Sequence, residues 1–387
     1  MKVLPVIDTL RVGGPGKGLV SLIGALRDSV EFPGVVTFRG GTEAQSDFSL
    51  ALSAAGIAEL VVDESSGAPW RSAAGLRHLI EEHRPDIVQT HGYKANFFLA
   101  LEALRAGTAR DWRWVSWVHG YTAENPKVQF YNKLEHWSAP RSDLTIFVSR
   151  SLKDVARMTP RKWEVVPNGI DSTYEQVSSS DVAEVTLRLD ATETKIILVV
   201  GRYSQEKGQD RIPRIAADLM ARRDDFQFVL IGEGPDEEDL RTQIEREGVG
   251  SRVELLPFVA DIRPYYRAAT LCVLPSRREG MPNVVLEALL MGCPLVSMDV
   301  GGVKEIVSPG VEALVVPQDD VDSLVRAIES VLDDDQLRKR LSAAGRERIR
   351  ESFLAASRAR RVRELYEDLL SGSLSSGTTH PRGTIRQ

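Results

Sequence analysis

An apolar run followed by a glycine-bounded polar loop lies near the middle of the chain: Ile196-Ile197-Leu198-Val199-Val200-Gly201-Arg202-Tyr203-Ser204-Gln205-Glu206-Lys207-Gly208. The apolar part is typical of a strand that is buried on both faces of a parallel sheet. The loop and the amphipathic stretch after it indicate a connection from that strand to a helix. This strand-loop-helix unit starts a second βαβ series about halfway along the chain.

The same alternation extends outward from this unit in both directions. In the first half we predict strands at 2–7, 35–38, 58–62, 86–90, 113–118, 143–148 and 163–166. In the second half we predict them at 196–201, 226–231, 252–256, 270–274, 294–298 and 312–315. Helical periods between the strands are typical of parallel sheets covered on both faces. We therefore predict an α/β fold of two doubly wound, Rossmann-like domains that face each other across a cleft.

Breaks in the alternation predict the domain boundaries. We expect the first domain at 1–175 and the second at 190–352, with a polar connector over 170–194. A C-terminal helix at 353–370 is expected to cross back to the first domain. The tail at 371–387 is rich in Ser and Gly and is expected to be disordered.

Composition and charge exclude several classes of protein. The formal net charge is −6, and because the first 175 residues are balanced, the acidic excess lies in the second half. A mildly acidic chain without a basic stripe argues against nucleic-acid binding. No apolar run is long enough for a membrane span, and the N-terminal run is too short for a signal peptide. Cys272 and Cys293 are too few for a disulfide framework or a zinc site. We expect a cytoplasmic protein, with the inner face of the membrane as an alternative location.

Two cations and two carboxylates are the candidate groups of the second half. Arg202 and Lys207 follow a predicted strand, where an arginine fork and a lysine charge could hold phosphate oxygens; the alternative is that both are solvated. Glu287 lies among apolar neighbours in a predicted helix that Pro282 would start, so its carboxylate needs a hydrogen-bonding partner. Glu279 and Glu287 could instead be the two carboxylates of a glycosidase, which lie about 5–9.5 Å apart. If both were on one helix, eight residues would separate them by about 12 Å along its axis; a Glu279 in the preceding loop leaves the pairing open. Separate roles are therefore favoured.

The first half offers weaker candidates. The run Gly13-Gly14-Pro15-Gly16-Lys17-Gly18 could bind phosphate before a helix or be a structural turn. His91 and His119 each follow a predicted strand and are each followed by Gly-Tyr. Single histidines are usually structural, but two at equivalent strand ends favour a functional role, above all for His119. Four tryptophans cluster at 112–137, either as core residues or as part of an aromatic-basic acceptor surface.

The Glu279–Glu287 spacing resembles the E-x7-E motif of the retaining glycosyltransferases of family 4, which have the GT-B fold. Other stretches of the chain agree with that family: Gly13-Gly14, Val166-Pro167-Asn168-Gly169-Ile170, Gly201-Arg202 with Lys207, Gly232-Glu233-Gly234-Pro235 and Gly301-Gly302-Val303-Lys304-Glu305. The resemblance runs from about residue 3 to 365 and is more specific in the second half. Pro257, where the family often has glycine, and Pro15-Gly16-Lys17 depart from the pattern.

The resemblance implies roles for individual residues. Arg202 and Lys207 would hold the donor diphosphate, Glu287 the ribose, and Glu279 would lie beside the donor sugar. His119 would lie beside the transferred sugar, which makes it a catalytic candidate together with Glu279, Arg202 and Lys207. Further donor contacts would come from Gly14, Val259, Asn283, Val284 and Val285. On the acceptor side, the candidates are His91 and Tyr121.

The implied reaction moves a sugar from a nucleotide-diphosphate sugar, most simply a UDP- or GDP-sugar, to an acceptor hydroxyl with retention of configuration. The acceptor would be a sugar or a lipid-linked sugar of a bacterial surface polysaccharide, with a peripheral membrane contact. No DxD motif lies among these candidate residues, so we expect Arg202 and Lys207 to replace a divalent metal, and we expect no other cofactor. A nucleotide-sugar epimerase of the same architecture and a non-catalytic nucleotide-sugar-binding protein remain alternatives, and front-face attack and a covalent intermediate are both open.

Overall fold

A computed structural model describes residues 1–10, 13–40, 46–65, 67–107, 110–120, 126–156 and 158–374, with the side chains of 126–129 outside the description. The chain forms two compact units. The first consists of Met1–Gly169 together with Ala355–Gln387, and the second of Ile170–Leu354. The chain therefore leaves the first unit at Gly169, a few residues before the expected boundary at 175, and returns to it at Ala355.

A seven-stranded parallel sheet forms the centre of the first unit, in the order β3-β2-β1-β4-β5-β6-β7. Its strands are β1 Val3–Ile7, β2 Val35–Arg39, β3 Glu59–Asp63, β4 Ile87–His91, β5 Arg113–Val118, β6 Leu144–Phe147 and β7 Trp163–Val165. Its helices are α1 Gly14–Leu26, α2 Asp47–Ala54, α3 Pro69–His83, α4 Tyr93–Ala106, α5 Pro126–Ser138, α6 Arg150–Ala156 and, from the end of the chain, α15 Ala355–Ser371.

A six-stranded parallel sheet forms the centre of the second unit, in the order β10-β9-β8-β11-β12-β13. Its strands are β8 Lys195–Val200, β9 Phe226–Ile231, β10 Val253–Leu256, β11 Leu271–Leu274, β12 Leu295–Met298 and β13 Leu314–Val316. Its helices are α7 Ser179–Arg188, α8 Ile212–Met220, α9 Glu237–Arg246, α10 Arg263–Ala268, α11 Asn283–Met291, α12 Val303–Ile306, α13 Val321–Asp333 and α14 Asp335–Ser352.

The prediction of an α/β fold with two Rossmann-like domains is confirmed. The predicted strands agree with the observed ones to within about two residues, because central strands of parallel sheets are buried on both faces and appear as continuous apolar runs. In both sheets the order reverses beside the first strand of the unit. Ligands of such sheets bind beyond the carboxyl ends of the strands at that reversal.

The segment expected to be a polar connector contains regular structure. Residues 170–194 contain a 3₁₀ turn at Ser172–Glu175 and the helix α7, which is capped by Ser178 and packs on α10. Val185 of α7 is buried, so this segment is part of the second unit's core. At the C-terminus, α15 packs on α1 and continues to Ser371. The remainder of the expected tail, 375–387, lies outside the described residues.

Candidate active site

The loop that follows β8 makes a tight turn at its end. Gly208 has φ of +71°, and a Cβ at this position would lie 2.2 Å from the carbonyl oxygen of Pro275. No side chain fits there, so the position requires glycine. The close approach brings the loop that carries Lys207 against the loop that follows β11. Since β8 and β11 are neighbours in the sheet, both loops lie at its carboxyl edge.

Lys207 and Glu279 form an ion pair at this edge. The Lys207 Nζ atom lies 2.8 Å from Oε1 and 2.9 Å from Oε2 of Glu279. Ser276 also donates its hydroxyl to Glu279 Oε1, at 2.8 Å. The Glu279 side chain is 6% exposed and that of Lys207 33% exposed. The carboxylate is therefore held by two donors, while the lysine remains accessible on one side.

Two adjacent glycines pack against the loop that carries Glu279. Gly301 has φ of +50°, and a Cβ there would lie 2.3 Å from the carbonyl oxygen of Glu279. The adjacent Gly302 donates its backbone N–H to the carbonyl of Gly280 at 2.8 Å. The Gly301-Gly302 motif thus packs directly against the backbone of the Glu279 loop. This close contact explains why glycine is required at position 301.

Arg202 lies in the same loop as Lys207, and its side chain is exposed. The loop backbone is anchored from the protein interior, because Gln209 donates its amide to the carbonyl oxygens of Gly201 and Arg202, at 3.3 and 3.0 Å. Gln209 itself is buried. Arg202 is therefore carried on a backbone that is anchored from the interior, five residues before Lys207 in the same loop.

Glu287 is buried in α11, 6% exposed, but it does not lack a partner. The hydroxyl of Tyr266, on α10, donates to Glu287 Oε2 at 3.1 Å. Burial, and then the negative charge of Glu287, raise the pKa of both Tyr266 and Tyr174. The sequence analysis did not identify either tyrosine. The hydroxyl of Tyr266 supplies part of the hydrogen bonding that the sequence suggested a ligand would supply.

The remaining donor-side candidates lie at strand or helix ends of the second unit. Asn283 is the first residue of α11 and Pro282 its N-cap, so Pro282 lies one position earlier than expected. Asn283 and Val284 are half-buried, and Val285 is buried. Val259 is half-buried in the loop after β10, beside the exposed Phe258. The helix dipole favours negative charge at the start of α11, which suits an anionic ligand.

In the first unit, the two histidines singled out from the sequence are hydrogen-bonded to each other. His91 ends β4 and is paired in register with Trp117 of β5, two residues before His119. The His91 Nδ1 atom lies 2.7 Å from His119 Nε2. His91 is 1% exposed, whereas His119 is half-buried. The acceptor-side role expected for His91 does not fit this burial, since His91 lies behind His119.

Burial is the main cause that lowers the pKa of both histidines. The positive charge of Arg358 lowers it further, and at His91 the neighbouring His119 also contributes. Arg358 belongs to α15 and donates to the carbonyl oxygen of Gly18 at 3.0 Å. Both imidazoles are therefore neutral at physiological pH. Sequence reasoning did not identify Arg358, which is distant in the chain from every motif.

The glycine run near the N-terminus is part of a helix rather than a loop. Helix α1 begins at Gly14, with Pro15 at its second position. Gly16 and Gly18 are buried within it, and a Cβ on Gly18 would lie 3.3 Å from the guanidinium of Arg358. The small residues thus allow α15 to approach α1. Gly14 remains placed at a helix N-terminus, the position that the phosphate hypothesis requires.

Most of the aromatic cluster belongs to the core. Trp112, Trp114 and Trp117 are buried, and the indole of Trp114 donates to the hydroxyl of Thr90 at 2.7 Å. Phe130, in contrast, is 58% exposed on α5. The core interpretation therefore holds for these three tryptophans. Tyr121 lies outside the described residues.

The described residues contain neither a metal-ligand cluster nor a membrane-spanning helix. Among these residues, no group of three or more His, Cys, Asp or Glu side chains is arranged to hold a metal ion. Within the same part of the chain, every helix is too short or too polar to cross a bilayer.

Family models match both halves of the chain. Residues 12–174 match the model for Glycosyltransferase Family 4. Residues 188–348 match the model for Glycosyl transferases group 1. The second match contains all the donor-side candidates of the second unit, from Arg202 to Glu287, and the first contains His91 and His119.

Individual proteins are similar over different lengths. An alpha-D-kanosaminyltransferase of Streptomyces kanamyceticus is 37% identical over 162 residues, which cover 41% of this chain and 42% of that protein. A UDP-Gal:alpha-D-GlcNAc-diphosphoundecaprenol alpha-1,3-galactosyltransferase of Escherichia coli is 27% identical over 78% of this chain and 80% of its own length. The crystal structure of Anabaena Alr3699/HepE in complex with UDP-glucose has a TM-score of 0.82, with 22% identity, 95% of this chain covered and 100% of that chain. This last likeness concerns the fold.

Proposed function

The chain belongs to the family 4 glycosyltransferases of the GT-B fold, and we propose that it transfers a sugar from a nucleotide-diphosphate sugar to an acceptor hydroxyl with retention of configuration. In this reaction the bond from the sugar's anomeric carbon to the diphosphate breaks. A bond to the acceptor oxygen forms on the same face of the ring. The leaving diphosphate gains negative charge, and the sugar gains positive charge.

The observation that carries the proposal is the arrangement of charges at the carboxyl edge of the second sheet. Lys207 is held by the buried Glu279 at 2.8 Å, and the exposed Arg202 lies five residues before it in the same anchored loop. Fixed cations at the place where charge develops stabilise a transition state without a cost of reorganisation. We assign the diphosphate to Arg202 and Lys207, with the first turn of α11 as a further source of N–H donors.

The two glutamates have separate roles in this proposal. Glu279 keeps Lys207 in place and lies where the positive charge of the sugar ring would develop. Glu287, whose carboxylate is oriented by the hydroxyl of Tyr266 at 3.1 Å, is assigned to the ribose hydroxyls. Val259 is assigned to the base through its backbone, and the donor is a UDP- or GDP-sugar.

His119 is assigned to the transferred sugar, because it is the half-exposed member of the histidine pair at the carboxyl edge of the first sheet. The acceptor is proposed to be a sugar or a lipid-linked sugar. The name of the Escherichia coli relative, which includes a diphosphoundecaprenol-linked sugar, supports the lipid-linked class. The exposed Phe130 is consistent with a peripheral membrane contact.

Donor turnover with and without acceptor tests the assignment. A glycosyltransferase releases nucleoside diphosphate from UDP- or GDP-sugars faster when its acceptor is added, and it forms a new glycoside. An epimerase would consume the donor without acceptor. A binding protein would be stabilised by the donor against thermal unfolding but would not turn it over. A thermal-shift screen first selects the donor, since ligand at 100 times its Kd adds roughly 2.7 kcal/mol of stability. Absence of glycoside with every donor that binds would reject the proposal.

A further inference from the structure

A continuous chain of side chains runs from helix α15 to His119 through the interior of the first unit. The hydroxyl of Tyr366 donates to Oε1 of Gln89. The Gln89 Nε2 atom lies 2.5 Å from His91 Nε2, and His91 Nδ1 lies 2.7 Å from His119 Nε2. Gln89, His91 and Tyr366 are buried. Each contact uses a different atom, so the four residues form one relay.

The relay follows from the geometry of the sheet. Gln89 and His91 are two residues apart on β4, so their side chains lie on the same face. Trp117 is the register partner of His91 on β5, and it lies on that face too. The rings of His91 and Trp117 are nearly parallel, with centroids 5.7 Å apart. Tyr366 comes from α15, which packs on the same side as α1.

The donors in the relay set its direction. A tyrosine hydroxyl that donates to Gln89 Oε1 leaves the amide N–H₂ of Gln89 turned towards His91 Nε2. An amide nitrogen only donates, so His91 Nε2 must accept. A neutral imidazole carries one N–H, which places the proton of His91 on Nδ1. His91 then donates to His119 Nε2, and the proton of His119 lies on Nδ1.

Burial and a nearby cation keep both imidazoles neutral, which the tautomer assignment requires. The guanidinium of Arg358, 5.0 Å from the Trp117 ring, adds positive charge that opposes protonation of either imidazole.

We propose that Tyr366 and Gln89, acting through His91, are positioning residues that hold His119 in its Nδ1-protonated tautomer, so that its remaining ring nitrogen presents a hydrogen-bond donor to an oxygen of the bound sugar. The sugar contact rests on the proposed function, whereas the tautomer does not. His119 with the opposite tautomer would present a lone pair to the same oxygen. The relay thus decides whether His119 donates a hydrogen bond to a hydroxyl or ring oxygen, or can only accept one from a hydroxyl.

The direct test is nitrogen NMR of the intact protein with ¹⁵N-labelled histidine. Long-range ¹H–¹⁵N correlation distinguishes the protonated from the unprotonated ring nitrogen, and His91→Gln and His119→Gln assign the signals. We expect the Nδ1–H form for both residues. The Nε2–H form at His119 would overturn the proposal. This measurement needs neither donor nor acceptor, so a failure of the proposed function would leave its result intact.

Tyr366→Phe tests the far end of the relay while keeping the packing of the ring. We expect the His119 signals to shift towards a mixture of tautomers, because Gln89 loses the donor that orients its amide. If His119 contacts the sugar, kcat should fall about threefold to tenfold with the donor KM little changed, as for one lost hydrogen bond. Arg361→Gln is the matched control, since it removes an ion pair of the same helix with Glu164 at 3.3 Å outside the relay.

The control variant should keep the wild-type tautomer and kcat. Unchanged histidine signals in Tyr366→Phe would reject the positioning role of Tyr366. A Tyr366→Phe variant that fails to fold leaves the wild-type spectrum as the decisive measurement. A tautomer shift with unchanged kcat would confirm the relay and reject the contact between His119 and the sugar.

Discussion

Lys207→Met should separate the structural from the catalytic effect of the Lys207–Glu279 pair. The substitution leaves the Glu279 carboxylate, which is 6% exposed, with the hydroxyl of Ser276 as a hydrogen-bond donor. Removing one partner of a buried ion pair costs about 3–5 kcal/mol. Because a third of the Lys207 side chain is exposed, solvent screening reduces our estimate to about 2–3 kcal/mol. For a domain of this size, that lowers the melting temperature by about 4–12 °C.

Glu279→Gln and the double variant Lys207→Met/Glu279→Gln complete the cycle. Glutamine keeps an oxygen for the Ser276 hydroxyl and removes the charge, so we expect the double variant to regain most of the lost melting temperature. Turnover should not return with it. Loss of a fixed electrostatic donor costs about 10²–10³ in rate, and the double variant still lacks that donor.

Calorimetric unfolding and initial-rate assays on the four proteins give both readings. A double variant with wild-type turnover would mean that Lys207 acts only to neutralise Glu279, which would reject its contact with the diphosphate. A Lys207→Met variant as stable as the wild type would show that water or another cation compensates Glu279, against the burial argument.

Three further changes have expected outcomes of their own. Arg202→Ala should lower turnover about 10²–10³-fold with an unchanged melting temperature, since its side chain is exposed; near-normal rates would contradict the diphosphate assignment. Tyr266→Phe should weaken the binding of nucleoside diphosphate, measured by calorimetry, and Glu287→Leu should abolish that binding. Glu287→Leu should also destabilise the fold by about 1–3 kcal/mol, because the buried Tyr266 hydroxyl loses its acceptor. A Leu variant of wild-type stability would show that the hydroxyl finds another acceptor. Turnover should survive EDTA, because Arg202 and Lys207 are assigned the charge of the leaving group; a loss that Mg²⁺ reverses would show that a metal carries that charge.

The strands and the edge of the sheet that bears the candidates could be predicted because both depend on local sequence. A run such as 196–200 is apolar at every position, and a loop of glycine and charged residues follows it. The same rule placed His91 and His119 at adjacent strand ends. Their contact was not predicted, since it depends on β4 and β5 being paired in register.

The helical segments were predicted less well. Residues 178–188 look polar, with three serines at the start, yet Ser178 caps a helix whose Val185 is buried. A helix that buries only one narrow stripe has few apolar residues. Its serine-rich sequence is therefore hard to distinguish from that of a linker. Glu287→Leu illustrates the same limit at the site. Sequence alone predicts that leucine would fit among the apolar residues of α11, but the hydroxyl of Tyr266 comes from another helix.

The groups that could be predicted and those that could not differ in where they lie. Lys207, Glu279 and His119 follow strands, where the sheet itself brings residues distant in sequence to one edge. Tyr266 and Tyr366 lie on helices that cover the sheets, where an aromatic residue is indistinguishable from an ordinary core residue until its hydroxyl is seen to have a partner. Those hydroxyls donate to Glu287 and Gln89 and so orient the carboxylate and the amide that receive them. Residues at the strand ends therefore supply the charged and titratable groups, and residues on the covering helices determine which hydrogen bonds those groups accept or donate. Helix α15 shows this in the first unit, where Arg358 and Tyr366 are buried and Tyr366 donates to Gln89, which contacts His91.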